Sequence, residues 1–219
     1  MSLQETKDQF VNHLHGQSKA SATVIAYKKD CEQLIEYLES QSKSNFPEVT
    51  EVDLNSFLAK LATLGFTAKT ISRKINSMKT FYRFLQTNNL ITSNPADLVT
   101  HPKFENKAPR VLTRMEYRAL RDACRDDGRI AAVVELLLQT GMRIGELASL
   151  TTESMSDSFI KIPAIEGHPE REVPLNKPAK TALDHYLSIR PKVKTNALFV
   201  TKTGRPLLIR NVRTAIDRY

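Results

Sequence analysis

Apolar residues recur every three or four positions through most of the first hundred residues, the spacing of one face of a helix. Polar stretches and glycine interrupt the pattern and mark where each helix stops. The periodicity predicts four helices: Leu3 to Leu14, Ser21 to Ser40, one from Thr50 to Gly65, and about Ala68 to Thr87. The N-terminal part of the chain is therefore expected to be helical throughout.

The fourth predicted helix carries two different stripes. Its apolar stripe consists of Ile71, Ile75, Met78, Tyr82 and Leu85. A polar stripe with the same spacing consists of Lys69, Arg73, Asn76, Thr80 and Arg83. The offset of two residues is about 200° at 100° per residue, so the stripes lie on opposite faces. The polar face is either an ordinary solvated face or a surface that contacts phosphates.

A boundary follows the fourth helix. Asn94-Pro95 ends the helical pattern, and residues 101–109 contain two prolines and no hydrophobic period, which is typical of a linker. We therefore predict a helical domain over residues 1–100, a linker over residues 101–112 and a second domain over residues 113–219.

The second domain is predicted to mix helices with a few short strands. Thr113 with Glu116 forms a capping-box pattern, and Gly128 separates that helix from an apolar one. The predicted helices begin at Thr113, span Ile130 to Leu138, Arg143 to Leu150 and Lys177 to Arg190, and begin at Leu207 in a stretch that includes Tyr219. The predicted strands are Ser158 to Pro163 and Glu172 to Leu175, around a turn at 165–170, and Leu198 to Val200.

Charge adds a class of partner to this picture. The chain has 219 residues and a formal net charge of +8, with 41% hydrophobic and 26% charged residues, so a packed core is expected. Lys and Arg outnumber Asp and Glu by 13 to 11 in residues 1–108 and by 19 to 13 in residues 109–219. A basic excess attracts polyanions, nucleic acids first, although a generic basic protein has the same balance.

Compartment and metal chemistry are constrained by what the sequence lacks. No apolar run approaches the roughly 20 residues of a membrane-spanning helix, and the first residues are too polar for a secretory signal. The two cysteines, Cys31 and Cys124, have no metal-site spacing. These observations predict a cytoplasmic protein without a membrane partner.

The strongest chemical signal is an arginine placed after a glycine. The apolar helix ends at Gly141, and Arg143 opens the next helix, which Leu147 and Leu150 should fix to the core. A guanidinium at a helix N-terminus can grip two phosphate oxygens. Glu146, one turn on, could hold the arginine in place. The alternative is a surface Arg–Glu pair at i,i+3 spacing.

This segment, Thr140-Gly141-Met142-Arg143 followed by Glu146-Leu147, resembles the first arginine motif of the tyrosine recombinases, the phage-integrase and Xer-like family. Other segments resemble further landmarks of that family in the same order. They are Thr70-Ile71-Ser72-Arg73, Phe81 to Leu85, Asn94-Pro95-Ala96, Val111-Leu112-Thr113, Val173-Pro174-Leu175, Leu198-Phe199 and Gly204-Arg205-Pro206. The resemblance covers nearly the whole chain, and it is the ordered set that makes it specific.

The resemblance implies a mainly α fold, with an N-terminal four-helix core-binding (SAM-like) domain. Part of an α+β catalytic domain with a small antiparallel sheet follows it. Enzymes of this family clamp double-stranded DNA between two such domains. A tyrosine attacks the scissile phosphate, two arginines stabilise the phosphoryl oxygens, and a lysine on the strand turn protonates the leaving oxygen. The family needs no metal or nucleotide cofactor, and its members assemble as tetramers on recombining sites. A nucleoid-associated cytoplasmic location is implied.

Residue by residue, the resemblance makes Arg143 the first catalytic arginine. The turn that should carry the lysine has none, which leaves Lys161 and His168 as candidate acids, with His168 preferred. Arg171 stays charged and is expected to contact phosphate rather than donate a proton. The expected DNA-binding residues of the fourth helix are Lys69, Thr70, Arg73, Asn76, Thr80 and Arg83.

Other residues of the family pattern have no match. Apart from the turn segment His168 to Arg171, no His-x-x-Arg sequence follows Arg143, and Tyr219 falls in a predicted helix, where we interpret it as a truncation point rather than the nucleophile. The 219-residue chain is therefore expected to bind DNA without cleaving it alone. Two alternatives are a catalytically dead DNA-binding relative, which the missing turn lysine favours, and a helical scaffold protein with no nucleic-acid role.

Overall fold

The computed structural model describes residues 2–17, 19–165 and 167–219. The chain divides into two compact units, Met1–Ala108 and Pro109–Tyr219. The described residues form nine α-helices and one two-stranded antiparallel sheet. The expected fold class, mainly α with a small antiparallel sheet, is confirmed.

The first unit consists of four helices: α1 (Leu3–Gly16), α2 (Ser21–Ser40), α3 (Glu51–Thr63) and α4 (Ala68–Thr87). At α1, α3 and α4, side chains that accept hydrogen bonds from free backbone N–H groups set the start of the helix. Thr50 and Asp53 form a reciprocal capping box at α3, and the Thr67 side chain accepts from the Thr70 N–H at α4. The predicted bounds of α2 and α4 agree with the structure.

An aromatic cluster forms the centre of this unit. Phe81 of α4 makes edge-on contacts with Phe10 of α1 and with Phe46, with ring centroids 5.0 Å apart in both pairs. The whole predicted apolar stripe of α4 is buried. The opposite stripe therefore faces solvent, as the spacing predicted.

Residues 99–113, all described, form neither helix nor strand, and the second unit begins within them at Pro109. It comprises α5 (Arg114–Ala123), α6 (Gly128–Thr140), α7 (Ile144–Ser149), β1 (Phe159–Ile162), β2 (Arg171–Pro174), α8 (Lys177–Ile189) and α9 (Ile209–Ile216). In the hairpin Lys161 pairs with Glu172, and Ile162 with Arg171. Ile160 and Ile162 are fully buried, so this side of the hairpin faces the core.

Most of the other helices differ by a few residues from their predicted bounds, and α6 and α9 are among them. Gly128 is the first residue of α6 rather than a separator, because the Asp127 side chain accepts hydrogen bonds from the N–H groups of Arg129 and Ile130. A Cβ at Gly128 would lie 2.8 to 2.9 Å from side-chain atoms of Ile189 and His185 on α8, so the glycine permits close helix packing. Helix α9 ends at Ile216, before the predicted stretch is complete.

The predicted strand at Leu198 to Val200 was wrong. The segment is buried, but it makes only scattered backbone contacts, including Leu198 N–H to Leu150 O and Leu207 N–H to Phe199 O. A short apolar run indicates a buried segment more reliably than it indicates a strand that is hydrogen-bonded to a neighbouring strand. Glu166, part of the predicted turn, lies outside the described residues.

No helix in the described ranges combines the length and the hydrophobicity needed to cross a bilayer.

Gly141 offers a test of how α6 is connected to α7. It ends α6 with φ of 63°, a left-handed conformation that strains any residue with a Cβ. Gly141→Ala should lower the free energy of unfolding by about 1 kcal/mol, measured by denaturant titration. Gly145→Ala, which has no positive φ and whose nearest atom is 3.7 Å away, is the control and should not destabilise. Equal losses in both variants would contradict the conformational explanation.

Candidate functional site

Packing on both sides fixes the position of Arg143. Gly141 turns the chain at the end of α6, Met142 is buried, and Arg143 becomes the N-cap of α7. Leu147 and Leu150 are buried and hold α7 against the core of the second unit. The Arg143 side chain remains 59% exposed, so its guanidinium is available to a ligand.

Glu146 is the centre of this site. Its side chain is only 4% exposed, and it accepts hydrogen bonds from the Arg143 backbone N–H at 2.7 Å and from Arg143 Nη1 at 3.1 Å. Arg171 donates to the same carboxylate through both terminal nitrogens, at 2.6 and 2.8 Å. The expected holding role of Glu146 is present, but the carboxylate is buried and shared rather than half of a surface pair.

The two arginines outnumber the carboxylate that joins them. Each guanidinium carries a full positive charge, and Glu146 cancels one, so one positive charge remains where the two side chains meet. The hydrogen bonds from Arg171 and then those from Arg143 outweigh burial and lower the pKa of Glu146 to about 2. The carboxylate therefore stays ionised at neutral pH, and the site has a net attraction for an anion.

Lys161 lies on the other side of the hairpin. Residues paired across two strands point to the same face, so Arg171 shares the buried face of Ile162, whereas Lys161 shares the outer face with Glu172. The buried face of the hairpin is that of Ile160 and Ile162. Lys161 Nζ lies 3.0 Å from Glu170 Oε1 in a half-exposed ion pair.

His168 lies at the end of the hairpin turn. Its backbone N–H donates to Ile165 O at 2.8 Å, and its carbonyl accepts from Ile165 N–H at 3.1 Å. The turn passes through Gly167 with φ of 87°. The His168 side chain is exposed and has no hydrogen-bond partner within the described ranges.

The polar stripe of α4 belongs to the first unit. Lys69, Arg73, Asn76 and Arg83 are exposed, and Thr70 and Thr80 are half-buried. The Thr80 hydroxyl already donates to Asn76 O at 2.8 Å, and the Thr70 hydroxyl is 3.0 Å from that of Thr67. On this face Lys69, Arg73 and Arg83 thus present positive charge, and Asn76 presents a side-chain amide, to a ligand.

Sequence reasoning missed two polar residues beneath the stripe. Asp30 of α2 and Lys74 of α4 are both buried and form an ion pair that also includes Arg73. The available signal was spacing: Asp30 lies three residues after Tyr27 and four before Leu34, which both pack in the core of the unit. A charged residue on that side of a helix needs a partner. The sequence alone could not name that partner.

Family comparisons cover both units. The family model described as "Phage integrase family" matches residues 110–219, and the model "Phage integrase, N-terminal SAM-like domain" matches residues 8–89. The chain belongs to the phage integrase family. Its resemblance to that family in the sequence is thereby confirmed, and so is the SAM-like class of its N-terminal domain.

Curated relatives of this integrase include bacterial recombinases. It is 31% identical to tyrosine recombinase XerC of Listeria welshimeri, over 97% of this chain and 75% of the relative. It is 32% identical to tyrosine recombinase XerC of Bacillus subtilis, over 93% of this chain and 71% of the relative. By homology the integrase is a tyrosine recombinase, a class of enzyme that carries out site-specific DNA recombination. A scaffold protein without a nucleic-acid role is excluded.

Solved structures share the fold of this integrase. A lambda integrase tetramer bound to a Holliday junction superposes with a TM-score of 0.81 at 18% identity, over 100% of this chain and 65% of that one. The Tn1549 transposon integrase in complex with circular intermediate DNA gives a TM-score of 0.74 at 20% identity, over 100% of this chain and 77% of that one. The fold extends over the whole chain.

The lowered pKa of Glu146 gives a pH-dependent prediction. Because the folded-state pKa of about 2 lies below the ordinary 4.5, the ion pairs stabilise the fold above pH 4.5, and that stabilisation is lost as the pH falls toward 2. Glu146→Gln should lower the free energy of unfolding by about 1–3 kcal/mol at pH 7, and the difference from wild type should shrink between pH 4.5 and 2.

The control for this titration is Glu153→Gln, because Glu153 is exposed and makes no ion pair within the described ranges. Glu153→Gln should leave the free energy of unfolding unchanged at pH 7 and at pH 2. A difference between wild type and Glu146→Gln that stays constant from pH 7 to pH 2 would show that the carboxylate is not held ionised by the arginines.

Proposed function

We propose that this integrase binds duplex DNA through the exposed face of α4 and holds a scissile phosphate at Arg143 and Arg171. The observation that carries the proposal is the convergence of both guanidiniums on the buried Glu146 carboxylate. A fixed pair of arginines with an uncancelled positive charge suits a phosphoryl group, whose charge grows on its oxygens in the transition state. Arg143 is the first catalytic arginine in this proposal.

The acid that protonates the leaving 5′-oxygen is proposed to be His168. Lys161 is disfavoured because it lies on the hairpin face opposite to Arg171 and pairs with Glu170. His168 is exposed on the turn, and an imidazole can give up a proton near neutral pH. Arg171 remains a phosphate contact, since its guanidinium does not deprotonate in proteins.

The division of labour follows the two units. We propose residues 1–100 as the core-binding domain, residues 101–112 as the linker and residues 113–219 as the catalytic part. No His-x-x-Arg sequence follows the hairpin strands in the chain, so the 219 residues alone are proposed to bind DNA without cleaving it. Assembly as a homotetramer on recombining DNA, as lambda integrase does on a Holliday junction, and a place at the cytoplasmic nucleoid are parts of the same proposal.

A second candidate function is that of a DNA-binding relative without cleavage activity. The turn between β1 and β2 favours it, because residues 165–170 contain no lysine. The two functions share the α4 face and differ at the phosphate site, so separate measurements of binding and cleavage distinguish them.

Binding is tested by removing charge from the α4 face. Replacing Lys69, Arg73 and Arg83 together with Ala should weaken duplex binding and reduce the slope of log K against log salt by up to about 3 units, at roughly 0.9 per contact. The control variant removes three exposed cations elsewhere in the first unit, Lys19, Lys60 and Lys103. An unchanged salt slope in the triple-alanine variant would show that the polar face of α4 is an ordinary solvated face that does not contact phosphates.

Cleavage is tested with the 219-residue chain and with any longer product that its reading frame encodes. Arg143→Lys keeps the charge but loses the two-pronged grip on the phosphoryl oxygens. DNA binding should be retained while cleavage falls by roughly 10²-fold or more. Near-normal cleavage by this variant would remove Arg143 from the catalytic role, and no cleavage by any wild-type product would favour the inactive relative.

The acid is tested with a substrate whose 5′-bridging oxygen is replaced by sulfur, a leaving group that needs no proton. This substrate should restore cleavage by His168→Ala and should not restore it in Arg143→Ala. If the sulfur substrate instead restores cleavage by Lys161→Ala, the acid is Lys161. Restoration of neither variant would place the acid outside these two residues.

A further inference from the structure

A cluster of buried charges lies between α2 and α4, beneath the proposed DNA-binding face. The side chains of Asp30 and Lys74 are 6% and 7% exposed, and Lys74 Nζ lies 2.7 Å from Asp30 Oδ1. Lys74 also donates to the Gln33 side chain and lies over the Phe66 ring, 5.4 Å from its centroid. The ammonium is therefore held inside the unit and does not reach the surface.

Arg73 binds the same carboxylate from the outside. Its Nη1 and Nη2 donate to Asp30 Oδ2 and Oδ1 at 2.6 and 3.0 Å, a two-pronged arrangement. The Arg73 side chain is nevertheless 46% exposed. Lys69 and Arg83, the other cations of the stripe, have no ion pair within the described ranges, so Arg73 is the member of the stripe whose guanidinium is fixed.

The charges of the cluster do not cancel. Asp30 carries one negative charge, whereas Lys74 and Arg73 each carry one positive charge. A buried carboxylate requires a compensating partner, and Lys74 alone supplies it. Arg73 is not required for neutrality, and two of its five N–H donors are used by Asp30, so three donors and the surplus positive charge remain at the exposed end of the cluster.

We propose that Asp30 and Lys74 are positioning residues for Arg73. Asp30 fixes the guanidinium on the exposed face of α4, and Lys74 cancels the charge of Asp30. Arg73 therefore meets a DNA phosphate as a preorganised and uncompensated cation. This inference rests on the proposed function, because it takes the α4 face to be the DNA-binding surface. It adds that a residue buried out of reach of DNA sets the strength of a phosphate contact.

Arg73→Lys tests the fixed geometry. Lysine keeps the charge but cannot make the two-pronged bond to Asp30. Affinity for duplex DNA should fall about 2- to 10-fold, the range that the ordering of one long side chain is worth. Arg83→Lys is the matched comparison, since Arg83 lies on the same stripe without an ion pair within the described ranges, and it should lower affinity by a smaller factor than Arg73→Lys.

Lys74→Met tests the charge compensation. Methionine fills a similar volume in the buried site, while Asp30 keeps Arg73 as its partner and now neutralises it. The slope of log K against log salt should fall by about 0.9, the value of one phosphate contact, although Lys74 itself is buried. Arg73→Ala should lower the slope by the same amount and should cause no further drop when combined with Lys74→Met. Thermal unfolding of each variant confirms that the measured protein is folded.

The outcomes separate the inference from the function beneath it. Arg73→Ala without effect on binding would overturn the α4 face as a DNA-binding surface and the inference with it. Arg73→Ala that weakens binding while Arg73→Lys matches wild type would leave the surface in place and overturn the fixed-geometry role of Asp30. Two results would overturn the compensating role of Lys74. One is a folded Lys74→Met variant that keeps the wild-type salt slope. The other is an effect of Lys74→Met that adds fully to that of Arg73→Ala.

Discussion

A carboxylate removed from water binds cations tightly, and in each unit one of the cations bound in this way is an arginine that reaches the surface. In the second unit Glu146 lies under Arg143 and Arg171, and in the first Asp30 lies under Arg73. In both cases the carboxylate is nearly inaccessible, whereas the arginine is at least one-third exposed. Burial of the acid holds the arginine in place, because hydrogen bonds between opposite charges are stronger in a region of low dielectric.

Helical periodicity predicted much of this arrangement. The two stripes of α4 followed from spacing alone, since its apolar residues pack on the aromatic cluster whatever the rest of the chain does. Arg143 was recognisable because a glycine, an arginine and a run of core residues are consecutive in the chain. The strand predicted at Leu198 to Val200 failed because a strand is defined by its partners, and three apolar residues do not specify them.

The parts that sequence reasoning could not supply are contacts between residues far apart in the chain. Asp30 and Arg73 are separated by 43 positions, and Arg171 and Glu146 by 25. The place of Arg171 depends on the register of the hairpin, because a slip of one residue would turn it to the face of Lys161. Position relative to the apolar stripe marks Asp30 as in need of a partner without identifying that partner.

The close packing at Gly128 has a consequence at the opposite end of α6. The helix spans 13 residues, about 20 Å, with its first residue against His185 and Ile189 of α8 and its last leading through Gly141 to Arg143. A larger side chain at position 128 would require the Ile189 and His185 side chains to move or this end of α6 to separate from α8. Separation would tilt the helix as a rigid rod. The displacement would be carried along the rod to the guanidinium of Arg143, and the reach of that side chain toward a phosphate is thus set in part by a residue a full helix length away.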